Sequence, residues 1–265
     1  VATSEAASAD DPKATVARVD PATITCPVPE PTQRATFERA VELLGSIETP
    51  RIDTVWILGQ VGERHSELHL DDPLDGRRVS EPSDPALRLV DPTATPAAPR
   101  VSGSDANARL IRDMGAVFGP PGPATTAAVD RFTGLADQHG YVLAHQWLVL
   151  LWADDLGLEL PVAITDRAAG LEAAVRAELR DHPDLPLDLW AELTALLVNH
   201  GRATTDAERA SAACRAVGTV SADGAWRGDG TYRQEYDGGA FDIVAEPEHV
   251  TSLMTWLLSG VVPAS

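Results

Sequence analysis

Apolar side chains point to nearly every side of a helix drawn through Tyr141 to Asp155 (YVLAHQWLVLLWADD). A helix without a polar face belongs inside a domain, so this stretch is predicted to be the central helix, with other helices around it. The neighbouring segments keep helical spacing. Leu110, Ile111, Met114, Val117 and Phe118 follow a capping Ser104 and stop at Gly119 and Pro120. Val129, Phe132 and Leu135 follow Thr126, and Leu171, Val175 and Leu179 recur after Thr165. Leu189, Trp190, Leu193, Leu196 and Leu197 lie between Pro186 and Gly201. Thr205 and Glu208 form a capping-box pattern ahead of a small-residue helix reaching Ala216. Short connections make most of these helices antiparallel neighbours. Upstream, Phe37, Val41 and Leu44 form one more stripe, closed by Gly45.

Two regions read as β-structure. Ile52 to Leu58 is rich in β-branched and aromatic residues, Gly59 to Glu63 can turn, and His65 to Leu70 alternates, which predicts an N-terminal hairpin. Near the other end, Asp223-Gly224, Asp229-Gly230 and Asp237-Gly238 separate VGTVSA, AWR, TYRQEY and AFDIVA, the pattern of a meander. Pro247 then opens a closing helix with Val250, Leu253, Met254 and Leu257 on one side. Between the two, residues 71 to 100 carry prolines at 73, 82, 85, 92, 96 and 99, so an exposed loop is expected there, with at most a short strand at Ala86 to Val90.

The predicted fold class is α+β and helix-dominated: a central helical bundle flanked by an N-terminal β-hairpin and a C-terminal β-meander with a closing helix. Residues 1–31, rich in Ala, Ser, Asp, Thr and Pro, read as a disordered arm. Residues 32–265 read as one globular domain, with sub-units at 32–100, 102–217 and 218–265.

Composition narrows the function classes. Forty acidic against 21 basic residues give a net charge of −19, a field that repels nucleic acid and anionic membrane surfaces. Only Lys13 is a lysine, so nearly all the positive charge is arginine. No apolar run reaches the roughly 18 to 20 residues needed to cross a bilayer, and nothing near Val1 has the order of a signal peptide. Cys26 and Cys214 are too few for a disulfide framework. A soluble, cytoplasmic protein is therefore expected. The phosphate-binding patterns GxxxxGK[ST] and GxGxxG and the nucleophile elbow GxSxG are absent.

Three groups of residues are candidates for chemistry or contact. On a strand, His65, Glu67 and His69 would share a face, and two imidazoles with a carboxylate can hold a divalent metal with open positions. The competing reading is a solvated face over an apolar one made by Ser66, Leu68 and Leu70. His145 stands inside the central helix. Asp154 lies on its opposite side, so a general-base role for His145 requires a partner from another element. Asp154 and Asp155 end that helix, where the macrodipole disfavours acids, and are candidates for acid–base work or fraying into solvent. Trp226, Tyr232 and Tyr236 are candidates for a contact surface, since aromatic residues are enriched at interfaces. The resulting expectation is an acidic adaptor that holds another protein. The alternative is a metal-dependent hydrolase or oxygenase built on His65, Glu67 and His69.

Overall fold

The computed structural model describes residues 26–70, 78–80, 84–91, 93–94 and 103–264. The arm expected at 1–31 and the loop expected at 71–100 therefore fall largely outside the described residues. Helices dominate what is described: α1 (Glu30–Gly45), α2 (Ile52–Arg64), α3 (Ala106–Gly115), α4 (Pro123–Thr133), α5 (Gly140–Asp155), α6 (Ile164–Asp181), α7 (Leu187–His200), α8 (Asp206–Thr219) and α9 (Pro247–Ser259). Two strands, β1 (Thr231–Tyr236) and β2 (Gly239–Val244), form an antiparallel hairpin. None of the described helices is long and apolar enough to cross a membrane.

α5 is buried on almost every side, with Leu143, Trp147, Val149 and Leu150 sealed from solvent. It packs on α4, α6 and α7, and α3 and β1 close its remaining flanks. A second hub forms where α9 lies against α7, α2 and α1. Its Trp256 touches Trp56 of α2, with ring centroids 5.3 Å apart.

The N-terminus of α5 illustrates how buried helix ends are completed. Its first free N–H groups point inward and need acceptors. Glu178 of α6 accepts from Gly140 N at 3.0 Å, and Gln234 of β1 accepts from Tyr141 N at 2.9 Å. Gly140 has φ +58°, and a Cβ there would lie 2.5 Å from Tyr232 Oη and 2.8 Å from Gln234 Oε1. Left-handed backbone and a steric clash both act against alanine, so Gly140→Ala is expected to cost about 2 to 4 kcal/mol. Urea denaturation at constant m-value measures it.

The N-terminal half departs from the predicted hairpin. Ile52–Leu58 is the start of α2, and Ser66–Leu68 is a single 3₁₀ turn. An apolar, β-branched run this short fits a buried helix as well as a strand. Here burial on several faces decides for the helix, because Ile52, Val55, Trp56, Ile57, Leu58 and Val61 are all buried. Glu248 of α9 stabilises the helix start by accepting from Arg51 N at 2.8 Å and from the Thr54 hydroxyl at 2.7 Å. The short strand expected at Ala86 to Val90 is instead a 3₁₀ turn over residues 85–89, capped by Asp84.

The C-terminal meander reduces to one hairpin. Only Asp237-Gly238 joins strands, with φ +47° and +72° at the two residues, as a tight primed turn requires. Val217 to Thr219 belong to α8. Asp223 accepts from Ala225 N in an isolated turn, and Asp229 accepts from Leu187 N at the start of α7. The Thr205–Glu208 capping box and the Pro247 helix start are both present as the sequence indicates.

Cys26 and Cys214 form a disulfide that ties the segment before α1 to α8, with Cα atoms 5.8 Å apart. Spacing along the chain gave no sign of it, because 188 residues separate the two.

Candidate functional site

Three helices each turn one stripe toward a common cavity of about 570 Å³. From α2 come Asp53, Trp56 and Ile57; from α5, His145, Leu148 and Trp152; from α9, His249, Leu253 and Trp256. Each set follows the three- or four-residue spacing of a helix face. α7 adds Glu192, and Met114 and Phe118 close the wall beyond Trp152. The lining is aromatic: Trp152 meets the edge of Trp56 at 6.1 Å between centroids and lies 5.3 Å from Phe118.

Inside this apolar wall sit two polar pairs of different character. Asp53 and His249 form a charge-assisted bond, Oδ2 to Nδ1, at 2.7 Å. Asp53 also accepts from Arg51 Nε at 3.2 Å and from Thr54 N at 2.9 Å. Burial alone would raise the Asp53 pKa, but the His249 bond and charge, Arg51 and Thr54 N–H outweigh it and hold it at about 2. Burial likewise works to lower His249, yet Asp53 and the charge of Glu192 win, and its pKa lies above the ordinary value. His249 retains 26% side-chain exposure, and it lines the cavity. With Nδ1 committed to Asp53, Nε2 is the ring nitrogen left to it.

The second pair is neutral. His145 Nε2 lies 3.4 Å from Glu192 Oε1, out of line for a hydrogen bond. Glu192 is 1% exposed, and burial, with Asp188 and Asp53 adding to it, raises its pKa to about 8 against the pull of His249. Burial, helped by the charge of His249, lowers His145 to about 3. At neutral pH the site thus holds a carboxylic acid and an uncharged imidazole beside an ionised carboxylate. Four buried polar atoms there have no protein partner: His145 Nδ1, Trp152 Nε1 and both Glu192 carboxyl oxygens. Unpartnered buried polar atoms cost free energy, and these four belong to three residues that line one cavity, which makes it the candidate site.

Comparison with protein-family models, with curated proteins and with solved structures finds no match. The functional reading therefore rests on the cavity itself.

Of the residues singled out in the sequence, His145 is at the site, and its partner does come from another element. Asp155, exposed at the helix end, accepts from Trp56 Nε1 at 3.1 Å; partial desolvation raises its pKa, with Trp56 acting against and Asp154 with that shift. Asp154 is exposed. His65, Glu67 and His69 do not present a strand face. His65 is fully buried, bonded through Nε2 to Ser259 O and through Nδ1 to Glu67, while His69 has left-handed backbone at the end of the 3₁₀ turn. No group of three His, Cys, Asp or Glu able to hold a metal ion occurs among the described residues. Trp226 is also fully buried, its indole N–H donating to Ala216 O. Tyr236 is buried and donates to Asp113 at 2.6 Å, and Tyr232 packs on Tyr141. Trp226 and Tyr236 are therefore core residues, while Tyr232 is half-buried.

Asp53, Glu192 and His249 were missed. Glu192 had a visible signal: it lies three residues after Leu189 and four before Leu196, on the apolar stripe of α7.

Proposed function

We propose that the chain binds a small, mostly apolar, uncharged molecule carrying one polar end. The observation that carries this reading is the set of four buried, unpartnered polar atoms carried by His145, Trp152 and Glu192, three residues that line an aromatic cavity of about 570 Å³, a size and lining typical of ligand sites. An uncharged ligand is favoured because Arg51, Asp53 and His249 already pair with one another. The free polar atoms belong to neutral groups or to an indole, and a charged head buried against them would keep its desolvation cost. The adaptor role rests on less. Trp226 and Tyr236 are buried, and among the described residues the exposed large hydrophobics Ile111, Leu135, Val162 and Val244 lie on four separate segments. The Cys26–Cys214 bridge supports an oxidising compartment for the protein in place of the cytoplasm.

Titration with β-naphthol and with naphthalene, read by tryptophan emission, tests the ligand reading. β-Naphthol is expected to saturate with a Kd of roughly tens to hundreds of micromolar and to bind more tightly than naphthalene. In Glu192→Leu that preference disappears. Equal affinity for the two compounds in the native protein, or saturation by neither, would overturn the reading.

A further inference from the structure

Taking the ligand reading as its basis, we infer that the cavity catalyses a proton shift within a small apolar ketone, with His249 Nε2 as base and the Glu192 carboxyl as acid. Both residues line the same cavity, from α9 and α7. The Asp53 bond to Nδ1 fixes the neutral His249 tautomer with its lone pair on Nε2. Glu192 has no protein acceptor for its acid proton. The imidazole of His249 and the carboxyl of Glu192 are both groups that take up and release protons, and both line the cavity.

The step balances without a co-reactant. His249 removes a proton from the carbon beside the carbonyl, and that C–H pair becomes the carbon–carbon double bond of an enol. The carbonyl π pair takes the Glu192 proton. His249 is then an imidazolium held by Asp53, and Glu192 a carboxylate. His249, 26% exposed, can trade its imidazolium proton for one from solvent. That solvent proton returned to the same carbon completes exchange, and a proton returned to the far end of a conjugated enol moves a double bond. The enol hydroxyl gives its proton back to Glu192, which restores both groups. A positioned acid or base is typically worth 10²- to 10⁴-fold in rate.

Activity requires His249 unprotonated and Glu192 protonated, so the pH profile is a bell. Its acid limb lies above the ordinary histidine value, and its alkaline limb follows Glu192 at about 8. The groups that set the limbs surround both residues. His249 faces Asp53 from α2 and Arg51 just before it, Glu192 from α7 and His145 from α5, with Glu246 and Glu248 beside it in the chain. Glu192 faces His145, His249 and Asp53, with Asp188 on its own helix.

The test uses the full chain and β-tetralone in D₂O, following loss of the proton signal beside the carbonyl by NMR, with binding read separately from tryptophan emission. The expected result is exchange above the buffer rate, cut about 100-fold by His249→Gln and by Glu192→Gln, with a bell-shaped pH dependence. Glu192→Gln, which retains a neutral side chain of the same shape, carries the test if His249→Gln does not fold. Saturable binding with exchange no faster than buffer overturns the catalytic inference and leaves the ligand reading standing. Neither binding nor exchange overturns both. Exchange that survives both substitutions overturns the residue assignment.

Discussion

Replacing Glu192 with glutamine is expected to make the folded protein about 4 kcal/mol more stable relative to the native sequence at pH 8 than at pH 4.5. In the unfolded chain Glu192 ionises at its ordinary 4.5, whereas in the fold it holds its proton up to about 8. Its stabilising contribution is therefore complete below pH 4.5. Between the two values the unfolded state loses a proton that the folded state keeps, and stability falls by about 1.4 kcal/mol per pH unit. Glutamine has no proton to lose. The difference between the two stability curves therefore climbs through this window and levels above pH 8, and contributions from groups whose titration is the same in both proteins cancel. His145 has the opposite sign. Its pKa drops from 6.5 to about 3, so its burial as a neutral ring stabilises above pH 6.5 and is lost in acid. Between pH 4.5 and 6.5 the two slopes offset each other in the native sequence, and the variant shows the histidine slope uncovered. Urea denaturation at a series of pH values measures both curves. Parallel curves would mean that Glu192 ionises normally in the fold. A neutral substitution that stabilises the fold while removing activity is the usual sign of a residue kept for function.

Opening the Cys26–Cys214 bridge is expected to remove about 3 to 5 kcal/mol of stability. The bridge closes a loop spanning 188 residues, and chain-entropy arguments give about 5 kcal/mol for a loop of that size as an upper value. For a domain this large, that corresponds to a fall in Tm of roughly 10 °C. Thermal melts of the native protein with and without a phosphine reductant, and of Cys214→Ser, measure it. Alkylation and mass analysis of unreduced protein gives the independent check. Two free thiols, with a melting curve indifferent to reductant, would remove both the bridge and the argument for an oxidising compartment.

What was legible in the sequence was local. α5 is apolar on all sides, α8 carries both halves of its capping box within four residues, and α9 begins at a proline. Each is decided by neighbours in the chain. α2 misled because β-branched residues prefer strands only when the surroundings are a pleated surface, and here they are helices. The site was legible only in part for the same reason. Asp53 and His249 are 196 residues apart, and His145 meets Glu192 across two helices. No spacing rule reaches that far, so His145 could be noticed but not paired. Glu192 alone broke a local pattern, a carboxyl in register with leucines.

α9 follows, in chain order, every helix it packs on, and it carries His249. During synthesis α1, α2 and α7 emerge with the apolar faces that α9 covers still open, so the core closes late and nearly in one step. A truncated product ending before Pro247 would lack both the seal on that core and the imidazole of the cavity. Ribosome-stalled chains of increasing length should stay protease-sensitive until α9 has cleared the exit tunnel, and then become resistant abruptly.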